Sequence, residues 1–290
     1  MATGYVVANG ARIFYTEEGS GPLVLLCHGF PESSYSWRAQ LQPLADAGFR
    51  AVAIDLPGYG RSDKPDVVYD VAWLSSCLAG VIEGLGHDRA VMVGHDWGAL
   101  LVWPFARLHL DRVAGVIGLN VPDFPRYPQP PTEFLRAIGS DKHSYILFFQ
   151  ERGPAEEVIE ADVDGFVRGI FLGPATVRKD AFSEEVLRTY ADTFRPKGAI
   201  TPPLEYYRNM DRNWKLMEPY DSMKIEVPCL MICAQGDPVL PPSLADQMEG
   251  RVLDYEVVVV EDCGHWTQQE QPEVTTEHML VYLRRLPAWR

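Results

Sequence analysis

The chain has 290 residues, 47% hydrophobic and 23% charged, with a formal net charge of −14 from 40 acidic and 26 basic side chains. That length suits one large α/β domain with an insertion, and an acidic chain without a dense Lys/Arg stripe argues against a nucleic-acid partner. No apolar run approaches the ~20 residues that span a bilayer, Met1-Ala2-Thr3-Gly4 lacks the basic and apolar regions of a secretory signal, and the odd number of cysteines argues against a disulfide framework.

Short apolar runs rich in β-branched residues alternate with amphipathic helical patterns through residues 1–120. Val6-Val7 and Arg12-Ile13-Phe14-Tyr15 read as strands joined at Asn9-Gly10, an antiparallel hairpin for the sheet edge. Leu23 to Leu26, Ala51 to Ile54, Ala90 to Val93 and Val113 to Gly118 read as buried strands. Helices are expected over Trp37 to Ala45, Val71 to Leu85 and Ala99 to Leu108. Such alternation implies right-handed crossovers and a mostly parallel central sheet with helices on both faces.

After Asn120-Val121-Pro122 the pattern changes to Pro-rich loops and helical stretches with little strand character. One helix is expected to start near Pro154 and to carry Val158, Phe166 and Ile170 on related faces. Another starts with Thr201 as N-cap and Pro202 at its first position, aligning Leu204, Tyr207 and Trp214. The sheet resumes with Pro228 to Cys233, followed by a helix near Leu244 to Met248, the strand Tyr255 to Val260 and a last helix up to Leu286. The expected organisation is a core over residues 1–122 and 223–290, with a helical cap over 123–222 inserted after the sixth strand. Its position favours a lid over the carboxyl ends of the strands, where such sheets bind ligands. Cys27, Cys229 and Cys233 fall in apolar strand-like segments and read as small hydrophobes in a reducing, cytoplasmic compartment. Neither a second Cys pair nor a His pair completes a zinc set, so no metal is expected.

The run Val91-Met92-Val93-Gly94-His95-Asp96-Trp97-Gly98-Ala99 reads as a buried strand, a sharp turn flanked by small residues, and a helix start. That is the geometry of a nucleophile elbow, with Asp96 at the apex where Ser usually stands. A carboxylate suits displacement at a saturated carbon, because the alkyl ester it forms is then hydrolysed at its own carbonyl. An isolated Gly-x-Asp-x-Gly would read more simply as an acid favoured at a helix start. An ester on Asp96 needs a water activated by a base, and the base needs an orienting acid, in the chain order nucleophile, acid, His. Asp237 follows a strand within Gln235-Gly236-Asp237-Pro238, and His265 follows the next within Asp262-Cys263-Gly264-His265-Trp266. Alone, Asp237 would be a turn former before Pro and His265 a surface loop residue; jointly they bring loops to the rim that carries Asp96. His87, His109, His143 and His278 lie in helical or solvent-facing contexts, and His95 should point away from its neighbour Asp96. His28 belongs to a Gly turn after the third strand, whose amides can face a developing oxyanion. Gly58-Tyr59-Gly60 lacks the third Gly of a dinucleotide site.

The chain resembles the soluble epoxide hydrolases of the α/β-hydrolase superfamily over nearly its whole length. The segments that carry the resemblance are His28-Gly29-Phe30-Pro31-Glu32-Ser33, Asp55-Leu56-Pro57-Gly58-Tyr59-Gly60-Arg61-Ser62, Gly94-His95-Asp96-Trp97-Gly98 and Gly264-His265-Trp266-Thr267-Gln268-Gln269-Glu270. It implies an α/β-hydrolase fold, an oxyanion hole from the backbone N–H groups of Phe30 and Trp97, and a triad of Asp96, His265 and Asp237. In the lid, Tyr145-Ile146-Leu147-Phe148-Phe149-Gln150 and Tyr207-Arg208-Asn209-Met210 match the contexts of the family's two tyrosines. Tyr145 and Tyr207 are therefore expected to stabilise the epoxide oxygen, since a phenol is a neutral donor at pH 7. Tyr206 is second choice, about 100° away on a helix of 3.6 residues per turn.

The expected reaction converts a small hydrophobic epoxide to a vicinal diol with no cofactor. Its pocket is expected to involve Phe30, Trp97, Trp37, Phe148, Leu240 and Trp266, with the oligomeric state open between monomer and homodimer. A haloalkane dehalogenase shares the Asp and the following Trp, yet Phe30 has no side-chain donor for halide and the lid tyrosines would go unexplained. A fluoroacetate-type dehalogenase would want Arg at position 97, and a serine esterase a Gly-x-Ser-x-Gly that the chain lacks. Asp123, after the sixth strand, is the alternative triad acid. A non-catalytic ligand-binding protein on the same scaffold is the more distant reading.

Overall fold

The computed structural model describes residues 1–139, 141–287 and 289. Its centre is an eight-stranded sheet in the order β1-β2-β4-β3-β5-β6-β7-β8. These strands are β1 Ala2–Ala8, β2 Ala11–Glu18, β3 Leu23–Cys27, β4 Arg50–Ile54, β5 Ala90–His95, β6 Val113–Leu119, β7 Cys229–Ala234 and β8 Tyr255–Val260. β1 and β2 form the antiparallel edge and every pairing from β4 to β8 is parallel. Asn9 and Gly10 both take positive φ, 48° and 82°, as a two-residue hairpin turn between right-twisted strands requires.

The inner strands are apolar apart from Arg50 and His95 at their ends, because both faces are covered. Leu25 and Met92 face one core with helices α2 Val71–Gly84 and α3 Trp97–Leu108, while Val24, Leu26, Val91 and Val93 face another. Leu41 and Leu44 of α1 Leu41–Asp46 belong to that second core. The single helix expected from Trp37 is a 3₁₀ turn, Ser34–Trp37, followed by α1. Pro43 explains the late start, since its ring tolerates only the first helical turn.

Between β6 and β7 the described residues form helices and turns: α4 Pro131–Ile138, α5 Ser144–Phe148, α6 Pro154–Ala161, α7 Val163–Phe171, α8 Glu184–Phe194, α9 Thr201–Arg208 and α10 Met210–Leu216. Two helices expected as continuous are broken. Asp162 accepts from the Gly165 N–H at 2.8 Å and so caps α7, separating Phe166 and Ile170 from Val158, which is exposed. Asn209 turns its side-chain amide back to the Glu205 carbonyl at 2.8 Å, dividing α9 from α10. Ile200 rather than Thr201 occupies the N-cap. Residues 242–248 form a 3₁₀ helix, and after the short α11 Thr267–Glu270 the last helix, α12 Pro272–Leu283, ends before Leu286.

This helical segment is pinned to the sheet domain at both of its ends. Arg107 of α3 donates two hydrogen bonds to Asp123, at 2.7 and 2.6 Å, and its Nε donates to the Met223 carbonyl at 2.8 Å. Arg251 donates to Asp123 at 2.9 Å and to Asp221 at 3.0 Å. Asp123 is therefore committed to two guanidinium groups, and the alternative of Asp123 as triad acid is corrected by this pairing. Asp123→Ala strands a buried Arg107 charge and costs about 3–5 kcal/mol, read as a lower urea midpoint. An unchanged midpoint contradicts this account of the anchor.

Candidate active site

Asp96 sits between β5 and α3 at φ 50°, ψ −116°, a conformation a non-glycine residue holds only under strong constraint. The neighbouring glycines supply that constraint. A Cβ on Gly94 would lie 2.4 Å from the Gly98 backbone, one on Gly98 2.1 Å from the Cys27 carbonyl, and one on Gly29 2.4 Å from the Asp96 Cβ. Only glycine lets the elbow fold this tightly beneath the loop after β3.

Phe30 N–H donates to Asp96 Oδ1 at 2.8 Å, and His265 Nε2 lies 3.7 Å from Oδ2. Trp97 opens α3, so its N–H has no acceptor within the helix. Burial opposes ionisation of Asp96, but the adjacent His265 and the Phe30 amide outweigh it, leaving the carboxyl below its ordinary pKa. His265 Nδ1–H donates to Asp237 Oδ2 at 2.7 Å. Burial disfavours the imidazolium, yet Asp237 and Asp96 dominate and raise the His265 pKa well above its usual value. Asp237 is held far below the carboxylate range against its burial, by His265 and by the N–H groups of Leu240 and Val239.

Several supporting residues have no role assigned from the sequence, and one of them, Asn120, lies outside every motif. Asn120, at φ 63° just past β6, donates to Asp237 Oδ2 at 2.8 Å and accepts from Thr267 at 2.5 Å. His95 does point away from Asp96, but its ring lies beneath His265. Its Nε2 faces the His265 carbonyl at 2.7 Å and its Nδ1 faces Glu32 at 2.8 Å. Glu32, fully buried, also accepts from the Gly29 N–H and from the side chains of Gln268 and Gln269. Burial raises the Glu32 pKa, and His95, the Gly29 N–H and the nearby His28 bring it below its ordinary value. His28 is a turn residue here: its Nε2 accepts from the Leu56 N–H at 3.0 Å while Nδ1–H donates to the Gly29 carbonyl.

A cavity of about 980 Å³ opens above Asp96, lined largely by apolar and aromatic side chains. That size suits a ligand-binding pocket. Phe30, Trp97, Phe148, Leu240, Trp266, Tyr145, Tyr207 and His265 all line it. Trp37 does not, which corrects the sequence expectation. It is wholly buried with Leu41 and Leu44 in the core on the other face of the sheet, because the 3₁₀ turn swings it inward. Tyr207 is 4% exposed, with its ring 4.9 Å from Trp97, 5.3 Å from Phe30 and 6.0 Å from Tyr145. Its neighbour Tyr206 is turned into the core, donating to the Pro57 carbonyl at 2.7 Å. Burial, with the charge of Asp96, pushes both the Tyr145 and Tyr207 phenols above their ordinary pKa, so both are neutral donors at pH 7.

Among the described residues, no group of three or more His, Cys, Asp or Glu could hold a metal ion, and no helix is long and apolar enough to cross a membrane. What the site offers is an ionised carboxylate on a rigid turn, an imidazole flanked by two carboxylates, backbone donors, and phenols across an apolar cavity.

Residues 22–272 match the alpha/beta hydrolase fold family. The chain is 38% identical to "Epoxide hydrolase A" of Mycobacterium tuberculosis, with 97% of each protein covered. It is also 38% identical to "Bifunctional epoxide hydrolase 2" of Rattus norvegicus, covering 98% of this chain and 56% of that protein, so it spans little more than half of that relative. Among solved structures, Epoxide Hydrolase A from Mycobacterium thermoresistibile superposes with a TM-score of 0.90 at 37% identity, covering 99% of both chains.

Proposed function

The chain belongs to the epoxide hydrolases of the α/β-hydrolase superfamily, and we propose that it converts a hydrophobic epoxide to a vicinal diol through an ester on Asp96. The observation that carries this reading is an ionised carboxylate at the elbow, sharing one cavity with two phenols. Residues 123–222 act as the lid and residues 1–122 and 223–290 as the catalytic core. Phe30, Trp97, Phe148, Leu240 and Trp266 shape the pocket around the substrate, and the buried, unpaired cysteines suit a reducing cytoplasm.

Asp96 attacks an epoxide carbon from a near-attack distance of about 3–3.5 Å. A C–O bond to Asp96 forms, the strained ring C–O bond breaks, and Tyr145 and Tyr207 donate hydrogen bonds to the departing oxygen. The alkoxide takes up a proton, and His265 gives up the one it holds in the resting enzyme, so the charge of the site is conserved. Neutral His265, oriented by Asp237, then removes a proton from water as the hydroxide adds to the ester carbonyl. The Phe30 and Trp97 amides hold the resulting oxyanion. Collapse releases the diol and restores the Asp96 carboxylate and the His265 imidazolium.

The test is to incubate the protein separately with an aryl or alkyl epoxide and with bromoalkanes, measuring diol and bromide. Diol from the epoxide is expected. Bromide without diol overturns the reading in favour of a dehalogenase.

A further inference from the structure

Arg208 follows Tyr207 at the end of α9, and its side chain is only 6% exposed. Every face of its guanidinium is used. Nε donates to the Phe149 carbonyl at 2.8 Å, and one terminal nitrogen donates to Glu156 at 2.7 Å and to Glu205 at 3.0 Å. The other donates to the Glu151 carbonyl at 2.8 Å and to Glu156 at 3.0 Å. Phe149 and Glu151 belong to the turn that leaves α5, the helix bearing Tyr145. Between them, Gln150 donates from its side chain to the Ile146 carbonyl at 3.0 Å and to the Tyr207 carbonyl at 3.1 Å. The turn after the helix of one phenol is thus bolted to the last turn of the helix that bears the other.

We propose that Arg208 is a positioning residue that sets the separation of the Tyr145 and Tyr207 hydroxyls, and so the rate of epoxide opening, without touching substrate. This rests on the assignment of those phenols to the departing oxygen. α5 is a short helix, Ser144–Phe148, and cannot hold its own orientation. Two carbonyls and two carboxylates converging on one planar, pre-organised fork fix it against α9. Glu156 shows how tightly the fork is held: burial raises its pKa, but Arg208 and the Gly153 N–H bring it down to about 2.

Arg208→Met should slow single-turnover ester formation on Asp96 by about 100-fold, the effect of a misplacement near 1 Å. Hydrolysis of the ester once formed stays at the wild-type rate, because His265 and Asp237 lie on other loops. Arg208→Lys should not rescue, since an ammonium cannot reproduce the fork. In a Tyr145→Phe background the Arg208→Met loss should shrink, there being one hydroxyl fewer to place. A merely structural role predicts the same loss in both backgrounds, or a loss shared equally by the two steps, and either result overturns the proposal. If Arg208→Met does not fold, Glu156→Gln is measured instead, with a smaller loss confined to ester formation expected and no loss counting against the proposal. Wild-type protein that forms no ester defeats the proposed function itself. Ester formation that is slowed by Tyr→Phe but not by Arg208→Met defeats this inference alone.

Discussion

His265→Gln should give a protein that reacts once with an epoxide and then stops. Gln keeps an amide donor for Asp237 but cannot take a proton from water, so the step that releases diol is the one removed. Loss of a general base costs about 10²- to 10⁴-fold, while attack by Asp96 needs no base and continues. Mass spectrometry should find one equivalent of adduct on the peptide containing Asp96, heavier by the whole mass of the epoxide. Asp96→Ala should carry no adduct. Undiminished turnover in His265→Gln, or diol release without a trapped ester, rules out the covalent route. The pH dependence of the wild-type enzyme follows from the same charges. Two carboxylates raise the His265 pKa in the resting site, so the ring is cationic at neutral pH. Esterification neutralises Asp96 and removes one of them, so the pKa of His265 falls when the ring is needed as a base. Ester hydrolysis should therefore speed up as pH rises through that lowered pKa. Ester formation should persist on acidification until the depressed Asp96 carboxyl is protonated, below its ordinary value.

The elbow was legible because Gly94 and Gly98 stand either side of Asp96 in sequence, although only the constraint on Gly94, set by the Gly98 backbone, is local; that on Gly98 comes from Cys27 of β3. Asp237 and His265 were legible for a different reason, since each follows a strand and parallel strands deliver their carboxyl ends to one rim. The lid phenols needed more. Tyr206 and Tyr207 differ only in which helix face they occupy, and it took the surrounding Tyr-Arg-Asn-Met context to separate the one that faces Trp97 from the one bonded to Pro57. What the sequence could not display were partnerships between distant residues. Asn120 and Asp237 are 117 residues apart, and Glu32 and His95 are 63 apart; no periodicity links either pair. Trp37 misled because an aromatic beside the His28 to Ser33 loop could face either side of the sheet, and a 3₁₀ turn in place of a helix decides which. The helix breaks at Asp162 and Asn209 were within reach, since both residues favour caps and turns over helix interiors, but the apolar stripe running through them had the stronger periodic signal.

Removing both lid hydroxyls should abolish the first step where removing the base abolishes the second. An alkoxide leaves poorly unless its charge is met in the transition state, and an apolar cavity makes each donor worth more than in water. Tyr145→Phe or Tyr207→Phe should each slow ester formation by about 10²- to 10³-fold, the loss typical of one oxyanion donor, with the other phenol sustaining what remains. Phe keeps the ring, so the contacts of residue 207 with Trp97, Phe30 and Phe149 survive and the cavity keeps its shape. The double variant should therefore fold and bind but form no detectable ester. Placing the double change in the His265→Gln background gives the sharpest readout, because a chain that cannot open the ring accumulates nothing, whereas one that opens it without the phenols accumulates adduct normally. Adduct appearing at the His265→Gln rate in that triple variant removes Tyr145 and Tyr207 from the reaction. Its absence, with the thermal midpoint unchanged, fixes their part at the departure of the epoxide oxygen, since the His265→Gln chain that keeps both hydroxyls is the control expected to form the adduct.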